Sequence, residues 1–314
     1  MWRAGSSHAS SRSATASGAC PPSVSVHASS TARDTTAMRV AIAEQDAVLG
    51  DVGANARLTL DAIESARAAG AELLVFPELS LTGYALGADA SALALPAGDP
   101  VLVELAAAAG TLDVVVGFVE RTPQGPCNSA AYLSRGVVHH VQRKTHLPTY
   151  SRWDEGRRFT AGDALQAFPT RFGTAAILIC HDAWHPVLAM LAALDGADLL
   201  IVPAASGARG DNDELERDWA TLLNHHARFT QVNVVFANRV GEEDHAVFWG
   251  GSRVVDPFGA VVAEGPRDVP ALVVADLDPG AVARRRDEIP LLAHARLDLL
   301  ASEFGRLGRR APDR

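Results

Sequence analysis

Cysteine is scarce in this chain, with only Cys20, Cys127 and Cys180 among 314 residues. An odd number at wide spacing, with no CxxC pair, excludes a disulfide framework and a zinc knuckle and fits a reducing, cytosolic setting. Long apolar runs are also missing. The longest, such as 114–119 and 199–205, fall far short of the ~20 residues that span a bilayer, so no transmembrane helix is expected. Basic charge is outnumbered, 28 Lys+Arg against 37 Asp+Glu for a net charge of −9. That balance argues against nucleic acid as a partner, because such readers present a basic face. What is present, 48% hydrophobic and 21% charged residues, is the composition of a folded globular protein. The length suits one large α/β domain or about two smaller ones.

Residues 1–37 form a Ser/Ala/Thr-rich tract without apolar periodicity and are expected to be disordered. The best candidate for a secretory apolar segment, 20–26, is broken by Pro21, Pro22 and serines. The acid-poor make-up has transit-peptide character, but the abrupt onset of strand pattern at Val40 favours an extension ahead of a domain that opens at Met38. That domain is expected over 38–314. Strands are expected at 40–45, 73–78, 112–120, 174–180, 198–206, 232–238 and 271–277. Hairpins are expected between 129–134 and 137–144, turning at Arg135-Gly136, and within 252–263. Helices are expected over 55–69, with Leu58, Leu60, Ile63 and Ala66 inward, and over 100–109, 186–194 and 215–230. Alternating strands and helices with hairpins give an α/β fold with mixed sheets. About a dozen strands is too many for one twisted sheet, so two sheets face to face with helices outside are expected.

Three polar residues stand where apolar runs give way to loop, the place where α/β proteins gather catalytic groups: Glu78, Lys144 and Cys180. Cys180 closes TAAILIC and is followed by HDAWHPVLAMLAAL, read as a helix that Asp182 caps and Pro186 enters in its first turn. A helix N-terminus favours the thiolate, so Cys180 is a nucleophile candidate. A cysteine in that context is by default an inert core residue, and it needs partners. Glu78 ends a strand too apolar to hold an unpaired carboxylate. In VVHHVQRK, Arg143 and Lys144 point to opposite strand faces, one inward and one to solvent. Buried together, an acid, an ammonium and a thiol would satisfy one another and depress the thiol pKa.

The segments LLVFPELSLTGY, RKTHLPTYSRWDEGRRFTAGD and LICHDAW, in this order, resemble the three signatures of the nitrilase-like carbon–nitrogen hydrolase superfamily, with its Glu–Lys–Cys triad. The resemblance spans essentially 38–277. It implies a four-layer α-β-β-α sandwich of two mixed sheets covered by helices, in subunits that pair into dimers or larger assemblies. It also implies Glu78 as general base, Lys144 as catalytic lysine, Cys180 as nucleophile and Glu155 as a second glutamate that positions the lysine and substrate. The backbone N–H of His181 is placed to stabilise an oxyanion beside Lys144. The implied reaction is hydrolysis of a small linear amide through a cysteine thioester, releasing an acid and ammonia or an amine, with no cofactor.

Substrate identity is less legible. Superfamily members acting on nitriles carry Cys-Trp-Glu where this chain has Cys180-His181-Asp182, and carbamoyl-amidases often carry a charged residue where it has Trp184. KTHLPTYSRWDEGRRFTAGD, LICHDAW and ANRVG resemble the glutaminase domain of glutamine-dependent NAD synthetases, but neither a Ser-Gly-Gly nucleotide loop nor GxxxxGK[ST] occurs. A free-standing amidase is therefore preferred over a glutaminase subunit feeding a partner. An acyltransferase and a non-catalytic binding relative are further alternatives. Tyr84, Trp153 and Trp184 are expected to wall the pocket, with Phe248 and Trp249 near it. No metal site is expected, because His225 and His226 face apart on a helix and no carboxylate or cysteine set completes His181 and His185. Gly250-Gly251-Ser252 reads as a turn into a strand, and Arg284 to Arg286 as a solvated helix end.

Overall fold

The computed structural model describes residues 25–28, 37–151, 153–208, 212–244 and 246–310. The first half of the chain contains β1 (Ser25–Ala28), β2 (Met38–Glu44), α1 (Val52–Ala68), β3 (Leu73–Val75), α2 (Pro100–Ala109), β4 (Asp113–Thr122), β5 (Gly125–Ser134), β6 (Val137–Arg143) and α3 (Glu155–Arg158). Next come β7 (Phe168–Thr170), β8 (Gly173–Ile177), α4 (Pro186–Leu194), β9 (Leu199–Ala204), β10 (Gly207–Ala208), α5 (Asp213–Thr230) and β11 (Asn233–Asn238). The last part holds β12 (Val240–Glu243), β13 (Ala246–Trp249), β14 (Arg253–Val255), β15 (Val261–Glu264), β16 (Ala271–Leu277), α6 (Ala281–Glu288) and α7 (Leu297–Gly308). One sheet has the order β1-β16-β2-β3-β4-β5-β6, a second β15-β14-β11-β9-β8-β7, and a small third β10-β13-β12. Both large sheets are mixed, with β2, β3 and β4 parallel in one and β8, β9 and β11 parallel in the other.

Alternation along the strands builds four layers. Val40, Ile42, Val75 and Val115 of the first sheet meet Ile177, Ile201 and Val235 of the second in the central core. Their neighbours Ala41, Leu74 and Val114 turn outward against Ile63 of α1 and Leu102 of α2. On the other side Ala176, Leu200 and Val234 turn outward against Ala189 of α4 and Leu223 of α5. Period-two side chains on a sheet buried on both faces leave no polar side, which is why these strands read as continuous apolar runs. The expected α-β-β-α sandwich is the architecture found. Arg135 and Gly136 both take positive φ, 52° and 80°, as the two-residue hairpin requires.

Within the tract expected to be disordered, Ser25–Ala28 form a strand parallel to β16; the rest of that expectation lies outside the described residues. Among the described residues no helix is long and apolar enough to cross a membrane.

Helix α1 corrects the expected inward face. Asn55, Thr59, Ile63 and Ala66 are buried, whereas Leu58 and Leu60 are 36% and 37% exposed. The buried set follows i, i+4, i+8 and i+11 on one face, and its first member is held by polar contacts that no apolar count detects. The Asn55 amide accepts from Val48 N at 2.8 Å and donates to the Val48 and Leu81 carbonyls at 2.8 and 3.1 Å. Asp51 caps the helix by accepting from Ala54 N at 2.8 Å. Asn55→Ala strands these buried backbone groups and is expected to lower unfolding free energy by about 2 kcal/mol, whereas Leu58→Ala stays within about 0.5 kcal/mol; denaturant titration of both variants checks the assignment.

Candidate active site

The strands deliver the charged residues to one end of the sandwich. β3 stops at Val75, and Phe76 and Pro77 carry the chain to Glu78, which is 2% exposed. This loop lies directly on β4, where Gly117 makes the approach possible: a Cβ there would sit 2.3 Å from Leu79 N and 2.7 Å from Pro77 O. Leu79 takes φ +50°, a left-handed conformation that sharpens the turn after Glu78. Lys144 follows β6 and continues its ladder, its N–H donating to Asn128 O at 2.8 Å. Arg143 and Lys144 diverge as alternation demands: Arg143 turns outward to Glu120, and the Lys144 side chain is fully buried. Glu155 opens the short α3 and is 3% exposed.

Lys144 Nζ donates to Glu78 Oε1 and to Glu155 Oε1, each at 2.7 Å. Glu78 Oε1 also accepts from Asn128 Nδ2 at 2.7 Å, and its Oε2 from Ala205 N at 2.9 Å. The Tyr84 hydroxyl donates to Glu155 Oε1, while Glu155 Oε2 is buried with no hydrogen-bond partner. Burial alone pulls the Lys144 ammonium down, but the facing carboxylates of Glu155 and Glu78 outweigh it and hold it above its ordinary value. Burial pushes Glu155 up to about 7, against the pull of Lys144.

Cys180 stands beyond the end of β8 with φ +48°, opening a 3-10 turn over Cys180–Trp184. This corrects the reading of a single helix capped by Asp182, since α4 begins only at Pro186. Asp182 instead ties the cysteine turn to the lysine loop. Its carboxylate accepts from Ile179 N at 3.3 Å, Thr145 N at 3.1 Å and His146 N at 2.8 Å. The expected depression of the thiol is also corrected: burial and the Glu78 carboxylate push Cys180 up, outweighing Lys144 and the Ala205 N–H. Burial and Lys144 lower His181 to about 4, so its imidazole is neutral at neutral pH.

A cavity of about 230 Å³ opens on these groups, lined by Tyr84, Tyr150, Trp153, Trp184, Glu155, Cys180 and His181 among others. The aromatics expected at the pocket, Tyr84, Trp153 and Trp184, are among these lining residues, together with the unanticipated Tyr150. Phe248 sits behind Tyr84, ring centroids 6.4 Å apart, and Trp249 is buried in the core behind α5. His226 is buried on Ala183 O at 2.7 Å, and among the described residues no group of three or more His, Cys, Asp and Glu is arranged to hold a metal ion. Arg284 and Arg286 are ion-paired with Asp278 and Asp198. One signal in the sequence went unread: Lys144 is the only lysine, and every other one of the 28 basic residues is arginine.

The family model described as carbon-nitrogen hydrolase matches residues 39–287. The chain belongs to the carbon–nitrogen hydrolase family. Among its relatives, the glutamine-dependent NAD(+) synthetase of Thermotoga maritima is 32% identical over 246 residues, covering 77% of this chain and 42% of the synthetase. The chain therefore spans less than half the length of that relative. An (R)-stereoselective amidase of Pseudomonas sp is 35% identical over 240 residues, covering 75% of this chain and 84% of the amidase. In solved structures, an amidase from Nesterenkonia sp. matches with a TM-score of 0.73 at 26% identity, covering 88% of this chain and 99% of that one. A variant of the Nesterenkonia sp. AN1 amidase carries the acetamide moiety of fluoroacetamide covalently added at its active-site cysteine.

Gly117→Ala is expected to push the Pro77–Leu79 backbone off β4 and destabilise the protein by about 2 kcal/mol or more through overpacking. Thermal melts of the variant beside Gly98→Ala, a position with open space around it, check that the cost comes from the contact with the Glu78 loop.

Proposed function

We propose that this hydrolase cleaves a small linear amide through a thioester on Cys180, and the observation that carries the reading is the buried lysine held between Glu78 and Glu155 at a cavity floored by Cys180. In the resting site the raised thiol keeps its proton beside the Glu78 carboxylate. When a carbonyl enters, Glu78 takes the proton as the sulfur attacks the carbon, so charge moves onto the substrate oxygen without a free thiolate accumulating. Lys144 and the His181 backbone N–H receive that oxyanion, each such donor contributing on the order of 3 kcal/mol. Collapse breaks the C–N bond; the departing nitrogen takes the proton from Glu78 and leaves as ammonia or an amine. Water then attacks the thioester with Glu78 again as base, the C–S bond breaks, and the acid departs as Cys180 regains its proton. Glu155 keeps Lys144 charged and aimed, and its unpartnered Oε2 is an acceptor suited to the N–H of an amide.

The amidase relatives support an amide ahead of a nitrile, relatives named N-carbamoylputrescine amidase keep a carbamoyl substrate as the second reading, and the NAD synthetase likeness puts glutamine among the compounds to be tried. A free thiol at Cys180 suits a reducing compartment such as the cytoplasm. Subunit pairing is supported by apolar side chains left exposed on Val187 and Leu191 of α4, Phe229 of α5, and Leu297, Phe304 and Leu307 of α7.

Ammonia release is measured with glutamine, asparagine, aliphatic and aromatic amides, carbamoyl amino acids and nitriles, with added hydroxylamine to divert a thioester. Release from at least one amide is expected, falling to background in Cys180→Ala while its thermal melt stays close to that of the parent, since loss of one sulfur leaves only a small cavity. Turnover that survives Cys180→Ala removes the mechanism. The pH dependence follows from Glu155. As pH falls through about 7 this carboxyl takes up a proton and Lys144 loses one of its two counter-charges, so kcat/KM is expected to drop on the acid side of about 7 and level off above it. A rate that stays level through that range contradicts the role given to Glu155.

A further inference from the structure

The ANRVGEE segment, Ala237 to Glu243, lies outside the cavity, but two of its buried side chains hold Tyr84, which lines it. Arg239 is 1% and Glu243 6% exposed, and Arg239 Nη1 donates to Glu243 Oε1 at 2.5 Å. The other Glu243 oxygen accepts from two successive backbone donors, Tyr84 N and Ala85 N, each at 2.8 Å. Arg239 is itself pinned by Asp46 Oδ1 at 3.0 Å and Ala47 O at 3.3 Å, with its guanidinium 4.5 Å above the Phe248 ring. That ring in turn packs edgewise on Tyr84. Space has been left for the carboxylate: Gly83 takes φ +76°, and a Cβ there would lie 2.6 Å from Glu243 Oε1. The Tyr84 backbone and ring are thus both seated by the Arg239–Glu243 pair, and the Tyr84 hydroxyl ends on the Glu155 oxygen that also binds Lys144.

We propose that Glu243, braced by Arg239, is a positioning residue of this hydrolase that acts on Glu155 and Lys144 through the Tyr84 hydroxyl. The proposal rests on the amidase reading for its kinetic test and on geometry alone for its chemical one. An ion pair placed for stability would only need to be buried and satisfied. This one spends both hydrogen bonds of one oxygen on the two peptides that aim a single side chain into the site, which is how an outer residue fixes an inner one.

The test is a double-mutant cycle of Glu243→Gln and Tyr84→Phe in the full chain, read in three ways. Glu243→Gln is expected to lower kcat about tenfold with KM changed less than about threefold in the parent, and to lower kcat less than about twofold in the Tyr84→Phe background, because both changes remove the same hydroxyl contact. The acid limb of kcat/KM is expected to move to higher pH in either single variant. Glu155 faces Lys144, Glu78, Cys180 and Tyr150 besides Tyr84, and of these changes only the loss of the hydroxyl removes a donor that favours its charged form. Site-resolved labelling of Cys180 by iodoacetamide supplies a readout that needs no substrate, with the same slowing in the parent and its loss in Tyr84→Phe. Equal losses in both backgrounds, or lowered stability with an unmoved limb, overturn the proposal. If no amide is turned over but labelling is coupled, the amidase reading fails and the positioning role stands; turnover with additive losses gives the reverse. Should Glu243→Gln not fold, Glu243→Asp keeps a charge for Arg239 while withdrawing it from Tyr84 and Ala85, and enters the same cycle.

Discussion

An ammonium taken out of water loses several kcal/mol of hydration, and only close, well-directed opposite charge restores it. Lys144 meets that condition with two carboxylates at 2.7 Å, and much of the surrounding architecture can be derived from holding those three groups together. Glu78 and Lys144 leave the first sheet at the ends of β3 and β6, and Glu155 comes from α3. The remaining acceptor sites of Glu78 are filled by Asn128, from β5, and by Ala205, from the second sheet. The charge cluster therefore bridges the seam between the sheets, and the apolar core that closes this seam is also what fixes the distances in the site. Removing one carboxylate would leave the lysine buried with half its compensation, so geometry and stability are coupled here.

Two non-glycine residues in the left-handed region flank the cluster, Leu79 at +50° and Cys180 at +48°. Such conformations carry a cost of order 1–3 kcal/mol each and persist where the surroundings over-determine them. Around Leu79 the determinant is the bare Gly117 surface of β4; around Cys180 it is the Asp182 carboxylate with its set of backbone donors. Each turn throws a side chain off the end of its strand toward the same point, which a regular strand or helix would not do.

The sequence reading recovered what local pattern encodes. Strand-length runs, the Pro100–Ala109 helix, the Arg135-Gly136 turn and the three polar residues at strand ends are each written in a few adjacent residues. It failed where the deciding contact is distant. On α1, Ile63 and Ala66 are buried as expected, but Leu58 and Leu60 were misread, because Asn55 is held by carbonyls of Val48 and Leu81 and their apolarity outvoted it. The thiol was read as acidified by a helix N-terminus and a neighbouring ammonium, whereas burial and the facing Glu78 carboxylate outweigh the lysine. Asp182 reaches Thr145 across 37 residues and Ala205 reaches Glu78 across 127, separations at which no spacing rule operates.

The single lysine has a consequence for the outside of the molecule. Apart from Lys144, every permanently cationic side chain of the sequence is a guanidinium, a group that stays charged at any physiological pH, stacks on rings and binds carboxylates in forked pairs. Side-chain amines are the usual targets of acylating and carbonyl-bearing metabolites, and of the enzymes that acetylate, methylate or attach other proteins to lysine. This chain offers such chemistry one lysine ammonium, and that one is buried between Glu78 and Glu155. This member of the carbon–nitrogen hydrolase family thus exposes no lysine amine on which a stray acyl group could settle.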